Sequence, residues 1–125
     1  MIKGVHHIAI LCSDRQAALA FYEGALGFSV ERTHVRPERE DEILMLCGYG
    51  VMLELFVSKN HPPRVTGPEA YWLRHLAFCV TELEAFVERL QSQGYCPEPI
   101  RCDSFTGERM TFVKDPDGLP IELHE

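Results

Sequence analysis

Two segments of the chain share one pattern of apolar and polar positions. HHIAIL near the start and RHLAFCV near the middle each place a histidine before an apolar run, which predicts a buried strand opening on one polar residue. Apolar residues then recur at spacings of three and four over 14–26 and 82–93, which predicts an amphipathic helix in each place. The pattern therefore indicates a strand and a helix that occur twice.

Capping residues and turns complete each half. Ser13 or Asp14 and Thr81 are placed to cap the helix starts, and Gly27 and Gly94 to end the helices. Three further strands are predicted in each half, at roughly 28–35, 42–47 and 51–57 and at roughly 97–102, 109–114 and 119–124. Turn residues separate the last two strands of each set, at 48–50 and 115–118, so each half ends in a hairpin.

The two halves are related by a constant offset. His7 precedes Glu54 by 47 positions and His75 precedes Glu122 by 47, so an offset of 68 superposes both pairs. We therefore predict an α+β fold of two repeated βαβββ modules in one domain over 1–125. Module one covers about 1–57, a proline-containing linker about 58–70, and module two about 71–125.

The four residues that fix the offset are also the candidate chemistry. Glu54 in VMLELFV and Glu122 in LPIELHE interrupt apolar strands, and a buried carboxylate is normally paired, protonated or metal-bound. Taken singly, each of the four residues is better explained by a structural role, as a hydrogen-bonded core histidine or as half of an ion pair. The repetition of both residue types at one register favours a metal site with two nitrogen and two oxygen ligands, His7, Glu54, His75 and Glu122. Such a set suits Zn, Ni, Co or Mn better than soft thiophilic metals.

The remaining histidines are assigned by the same offset. Neighbouring residues of a strand face opposite sides, so only one of His6 and His7 is expected to point into the site. The offset selects His7, because residue 74 is Arg and residue 75 is His. His34, His61 and His124 have no counterpart in the other half and are expected at the surface.

Composition limits the classes of function. A net charge of −7 argues against a nucleic-acid partner, which needs a basic face, and no apolar run approaches the roughly 20 residues that a membrane helix needs. Five cysteines without a CxxC spacing fit a reducing cytoplasm better than a disulfide framework. We expect a cytoplasmic protein that acts on a small molecule.

The whole chain resembles the vicinal oxygen chelate superfamily, and within it the single-domain glyoxalase I-like (lactoylglutathione lyase-like) proteins. VHHIAI, FYEGALGF, LRHLAF and DPDGLPIEL carry the resemblance, in that order. It implies the glyoxalase/bleomycin resistance/dioxygenase fold, in which paired modules form a curved, cup-shaped mixed β-sheet around one divalent metal. The family's ligand positions fall on the same four residues, and a homodimer is implied, with the ligands from one chain or from two.

The resemblance also implies a reaction. Glyoxalase I moves the proton next to a carbonyl in a thiol adduct of a 2-oxoaldehyde, through a metal-bound enediolate. Glu122 is the first candidate for the base and Glu54 for the mirror role. Alternatives are a non-catalytic small-molecule-binding protein of this fold and an Fe(II)-dependent extradiol-type dioxygenase. The acid at Glu54 argues against Fe, because those dioxygenases use two histidines and one carboxylate.

Departures from glyoxalase I concern the substrate. Leu11 and Ser58 stand where that enzyme has an Arg and an Asn for glutathione. Substrate contacts are instead expected from the mouth of the cup and its walls. The candidates are Arg101, Arg109, Phe56 and Trp72, although packing in the core is the stronger expectation for the last two.

Overall fold

The computed structural model describes residues 1–125 and divides into two compact units. Unit 1 is Met1–Pro62 and unit 2 is Pro63–Glu125, so the boundary falls inside the linker predicted at 58–70. Each unit contains one strand, one helical segment and three further strands, in that order. The predicted α+β fold of two βαβββ modules is confirmed.

Unit 1 is a four-stranded mixed sheet with one helical segment. Its strands are β1 (Ile8–Cys12), β2 (Ser29–Arg36), β3 (Asp41–Gly48) and β4 (Val51–Val57), in the spatial order β1-β4-β3-β2. The helical segment begins as α1 (Arg15–Leu19) and continues as a π-helix over Ala20–Ala25, and a 3₁₀ turn covers Pro37–Arg39.

Unit 2 repeats this topology. Its strands are β5 (Leu76–Cys79), β6 (Arg101–Cys102), β7 (Arg109–Lys114) and β8 (Pro120–His124), in the order β5-β8-β7-β6, and its helix is α2 (Leu83–Ser92). In both units the first strand lies parallel to the last, while the other pairs are antiparallel. No helix in the structure has the length and apolar character needed to span a bilayer.

The strand register reproduces the sequence offset. Ala9 faces Glu54 across the parallel pair of unit 1, and Ala77 faces Glu122 across the parallel pair of unit 2. Both members of the second pair lie 68 positions after those of the first. The two acids therefore occupy equivalent places in two equivalent sheets.

Strand alternation separates each acid from the core. Leu53 and Leu55 on β4 are fully buried, as are Ile121 and Leu123 on β8. Because successive side chains of a strand point to opposite faces, Glu54 must emerge from the face opposite its apolar neighbours. The same holds for Glu122 on β8. The apolar flanks seen in the sequence thus anchor each strand, and the acid is held rigidly between them.

The first helical segment is not the continuous α-helix expected over 14–26. Asp14 caps it as predicted, since its Oδ1 accepts a hydrogen bond from Ala17 N at 2.8 Å. Beyond Leu19 the backbone widens to π geometry, with Leu26 N bonded to Phe21 O at 2.9 Å. Gly24 lies within the π-helix, where its low helix propensity weakens the α alternative.

The helix cap predicted at Thr81 is wrong. Helix α2 begins after Glu82, whose φ of 54° is left-handed and whose side chain makes no capping bond. The Glu125 carboxylate instead accepts from Leu83 N at 3.4 Å, a partner 42 positions away. The end of α2 is as predicted: Gly94, at φ 90°, donates to Gln91 O in a Schellman arrangement.

The strand expected over 97–102 is reduced to the two residues of β6. Pro97 and Pro99 have no N–H to donate to a ladder, which leaves Glu98 N, bonded to Phe112 O at 2.8 Å, as an isolated link. The first hairpin forms as expected. Tyr49 and Gly50, at φ 53° and 75°, make the two-residue loop between β3 and β4 with the positive φ values of a type I′ turn.

Candidate functional site

The first predicted pair meets in unit 1. His7 lies directly before β1 and Glu54 lies in the middle of β4, the strand beside it. His7 Nε2 is 3.2 Å from Glu54 Oε2, and the two side chains are 37% and 20% exposed. The histidine is therefore accessible to a ligand, while the carboxylate is held by its strand.

The second pair meets in unit 2 in the same way. His75 directly precedes β5, and its Nε2 is 3.0 Å from Glu122 Oε2. These side chains are 30% and 10% exposed, so this pair is the more buried of the two. The His75 ring also packs edge-on against Phe112, with centroids 5.2 Å apart.

Both pairs have the geometry of metal ligands. Two ligands bound at about 2.1 Å to one ion lie roughly 3.0–3.5 Å apart in octahedral or tetrahedral arrangements. The separations of 3.2 and 3.0 Å fall in that range, which is also that of an ordinary hydrogen bond. Neither glutamate forms an ion pair with an Arg or Lys, and the nearest cationic partner of each carboxylate is its paired histidine. The donors fit a divalent cation.

The surroundings of the second ring nitrogen, Nδ1, differ between the histidines of the two units. His75 Nδ1 is buried and has no hydrogen-bond partner. His7 Nδ1 lies 2.8 Å from His6 Nδ1, and the two rings are perpendicular with centroids 5.1 Å apart. Both His6 and His7 precede β1, so strand alternation does not separate them as expected. His6 does not point away from the pair but contacts its histidine.

His124 corrects a second expectation. It was expected at the surface, yet its side chain is only 19% exposed and is surrounded by carboxylates. Its Nε2 is 3.9 Å from both Asp103 Oδ2 and Glu122 Oε1, and its Nδ1 is 3.3 Å from Glu108 Oε2. The missed signal was the alternation of β8, which puts Glu122 and His124 two positions apart on one face.

Local hydrogen bonds set the charge of this cluster. The bond from His124 Nδ1 to the Glu125 carbonyl, 3.0 Å long, raises the pKa of His124; burial opposes it and the nearby carboxylates add to it. Hydrogen bonds from Phe105 N and Thr106 N lower the pKa of Asp103. Asp103 is therefore stabilised as an anion facing the imidazole.

The arginines predicted to contact substrate are both engaged. Arg101 Nη1 donates to Glu98 at 2.7 Å, and its guanidinium lies 5.4 Å from the Phe112 ring centroid. Arg109 donates twice to Glu125, at 2.6 and 2.7 Å, and also to Glu84. A substrate role for either remains a prediction, and for Arg109 it would require exchanging one of these partners.

The two aromatic candidates differ. Phe56 is half-buried on β4, and the Arg36 guanidinium lies 5.2 Å from its ring centroid. Trp72 is 76% exposed in the segment before β5, so the expectation that it packs in the core is wrong. A short-range hydrogen bond from Trp72 N to Ala70 O, 2.9 Å long, marks a local bend in this segment.

A cavity of about 460 Å³ in unit 1 lies away from all four predicted ligands. Its walls include Arg15 and Arg36, which are paired with Glu42 at 3.1 Å and with Asp41 at 2.5 Å. Because each guanidinium is already neutralised, the cavity offers no unpaired arginine to an anion. Ser58, which replaces the expected Asn, contributes to the same wall.

Known proteins match this chain over nearly its whole length. Residues 4–123 match the model of the Glyoxalase/Bleomycin resistance protein/Dioxygenase superfamily. The uncharacterized protein YwkD of Bacillus subtilis (strain 168) is 48% identical over 100% of this chain and 98% of its own. The lactoylglutathione lyase of Salmonella typhimurium (strain LT2) is 31% identical over 95% and 90%.

Solved structures show the same fold. The glyoxalase family protein from Enterococcus faecalis has a TM-score of 0.93 at 50% identity, covering 98% of both chains. A mutant of the fosfomycin resistance protein FosX from Listeria monocytogenes, complexed with Mn(II) and 1S,2S-dihydroxypropylphosphonic acid, has a TM-score of 0.78 at 20% identity. That likeness covers 99% of this chain and 93% of FosX, and at this identity it concerns the fold alone.

Proposed function

Because the chain belongs to the Glyoxalase/Bleomycin resistance protein/Dioxygenase superfamily, we propose that it is a divalent-metal-dependent, glyoxalase I-like lyase or isomerase that moves a proton next to a carbonyl. The observation that carries this proposal is the repeated pair of histidine and glutamate. Two equivalent sheets each hold one imidazole nitrogen about 3 Å from one carboxylate oxygen. A structural ion pair explains one such arrangement, but gives no reason for both to occur at the same register.

His7, Glu54, His75 and Glu122 would hold the cation. Two neutral imidazoles and two carboxylates balance the charge of a divalent ion and suit Zn, Ni, Co or Mn. The Mn(II) bound to FosX shows that a protein of this fold accepts such an ion. When bound, the cation supplies Lewis acidity that stabilises negative charge developing on a substrate oxygen.

Glu122 is proposed to carry the proton. Its side chain is 10% exposed, against 20% for Glu54, so it is the less hydrated carboxylate. Its backbone is held on both sides, by Ala77 on β5 and Phe112 on β7, which fixes the position of the carboxylate. Glu54 takes the mirror role.

The substrate is proposed to be a small oxygenated molecule, such as a thiol adduct of a 2-oxoaldehyde. The relative named lactoylglutathione lyase supports this chemistry. Leu11 is 54% exposed and cannot bind a carboxylate, so the glutathione contact expected at this position is missing. Turnover of methylglyoxal should be measured with glutathione, with smaller thiols and without a thiol. The comparison identifies the thiol partner.

Glu122→Gln tests the proposal. The amide preserves size but cannot accept the proton, so turnover of the adduct should fall by about 100-fold or more while the fold is retained. Glu88→Gln on the exposed face of α2 makes the same charge change and should leave turnover unchanged. Unchanged turnover and metal content in Glu122→Gln would refute the proposed role. A purified protein that binds its small molecule without metal would support the binding-protein alternative.

We propose that the two units act as one domain and that the protein forms a homodimer. Mixing two inactive variants, His7→Gln and His75→Gln, decides whether the ligands of one site come from one chain or from two. If each site combines unit 1 of one chain with unit 2 of another, a mixed dimer contains one intact site and one doubly altered site. Activity should then return on mixing and refolding, whereas sites within single chains stay inactive.

A cytoplasmic location is proposed from the cysteines. None of the five forms a disulfide, and Cys79, Cys96 and Cys102 are exposed. Exposed thiols persist in a reducing compartment, which supports a cytoplasmic location. The negative net charge supports a small-molecule substrate over nucleic acid.

A further inference from the structure

A second group of metal-ligating side chains lies in unit 2, beside the pair of His75 and Glu122. Asp103, Glu122 and His124 each present one ligand atom, and the three atoms lie within 4.8 Å of one another. Glu122 and His124 share a face of β8, and Asp103 is brought to them by the turn that follows β6. Their side chains are 24%, 10% and 19% exposed. The proposed reaction leaves two of the three without a role.

The turn holds Asp103 with one oxygen free. Asp103 N donates to Glu108 O and Gly107 N donates to Asp103 O, both at 2.8 Å, which closes the turn. Asp103 Oδ1 accepts from Phe105 N at 2.6 Å and from Thr106 N at 3.2 Å. Because Oδ1 is engaged, Oδ2 is the oxygen left to face His124.

The backbone likewise selects the nitrogen that His124 presents. Its Nδ1 is 3.0 Å from the Glu125 carbonyl, which only accepts, so Nδ1 carries the proton. Glu108 Oε2, 3.3 Å from the same nitrogen, favours that tautomer too. In the neutral imidazole Nε2 then carries a lone pair, and this nitrogen faces Asp103 Oδ2 and Glu122 Oε1. A histidine fixed through its second nitrogen by a carbonyl is the usual arrangement in metal sites.

The distances from His124 Nε2 to the two carboxylates are longer than those of hydrogen bonds. Nε2 is 3.9 Å from both oxygens, beyond hydrogen-bonding range. Ligands bound at about 2.1 Å to one ion lie roughly 3.0–3.5 Å apart, so the three atoms, which lie within 4.8 Å of one another, would move closer together on binding an ion. No arginine neutralises the cluster, since Arg101 pairs with Glu98 and Arg109 with Glu125 and Glu84.

We propose that Asp103, Glu122 and His124 bind a divalent cation of their own, with the Glu122 carboxylate shared between two metal positions. Glu122 Oε2 faces His75 at 3.0 Å, while Oε1 faces His124, so the two oxygens are directed to different histidines. One imidazole and two carboxylates suit Mn²⁺ or Zn²⁺. This position stands on unit 2 alone and does not require the four-ligand site to be correct.

Mn²⁺ binding to chelator-treated protein tests the proposal, with bound and free ion counted by electron paramagnetic resonance. The full chain should bind two ions, and Asp103→Asn should weaken one of them by about ten-fold or more. The amide keeps the Oδ1 that accepts from Phe105 and Thr106, so the turn should survive. His124→Gln should lose the same ion, and Glu88→Gln, a matched charge change on α2, should retain both.

The outcomes separate this proposal from the proposed function. His7→Gln should lose the other ion and keep the one bound by Asp103. If Asp103→Asn and His124→Gln bind Mn²⁺ with the stoichiometry and affinity of the unaltered protein, the second position is refuted and the first survives. If only the Asp103-dependent ion is found, the four-ligand site fails and this proposal stands. A protein that binds no Mn²⁺ contradicts both.

Discussion

The contact between Gly27 and Tyr49 permits a double-mutant test of how the helical segment of unit 1 joins its sheet. Gly27 has a φ of 83°, and the Tyr49 hydroxyl donates to Leu26 O at 2.6 Å. A Cβ added at Gly27 would lie 2.7 Å from that hydroxyl oxygen but 3.9 Å from the ring carbon that carries it. Only the hydroxyl therefore obstructs a side chain at this position.

The expected cost of Gly27→Ala has two parts. An alanine in the left-handed region costs about 1–2 kcal/mol. Displacing the hydroxyl also breaks its hydrogen bond, at about 1 kcal/mol. Gly94 has a φ of 90° and open space around an added Cβ, so Gly94→Ala should show the first part alone.

Tyr49→Phe removes the obstruction and the hydrogen bond together. Equilibrium denaturation of Gly27→Ala, Tyr49→Phe and the double variant should give a coupling of about 1 kcal/mol, because the bond is lost only once. Gly27→Ala should thus cost less when it is combined with Tyr49→Phe, and about as much as Gly94→Ala. An equal cost of Gly27→Ala with and without the tyrosine hydroxyl would show that the hydroxyl does not control this position.

Three further predictions concern stability. Leu55→Ala on β4, where the leucine is fully buried, should cost about 2–5 kcal/mol in denaturant unfolding. Asp14→Ala should cost about 1 kcal/mol and Thr81→Ala almost nothing, because only Asp14 caps its helix. The hydrogen bond from Arg36 lowers the pKa of Asp41. The stability that this pair contributes should therefore be present above about pH 4 and lost as the pH falls through the lowered pKa. Asp41→Asn should flatten the dependence of unfolding free energy on pH in this acid range.

The repeat made most of the fold predictable. The offset of 68 made Glu54 and Glu122 equivalent positions, and the structure places them opposite Ala9 and Ala77, which are related by the same offset. The repeat was detectable because matched positions of a histidine and an acid can be recognised without any estimate of local helix or strand propensity. The Gly94 helix end was equally readable, since the left-handed residue there needs only one glycine.

The sequence failed where partners are distant or differ between the halves. The offset places His124 against Phe56, which predicts a surface position for the histidine. In the structure its neighbours are Asp103 and Glu122. The cap of α2 comes from Glu125, which no local capping pattern could reveal. Periodicity alone also does not distinguish α from π geometry, because one extra residue in a turn still leaves an apolar face.

High-affinity binding of Mn²⁺ to His7→Gln, Glu54→Gln, His75→Gln and Glu122→Gln, measured by calorimetry on chelator-treated protein, tests the central claim most directly. If the four residues form one site, each single variant should weaken the same binding event. Combining His7→Gln with His75→Gln should then eliminate that event and no other. If variants of the first pair leave binding at the second unchanged, the two pairs are separate, and the proposed four-ligand metal site is wrong.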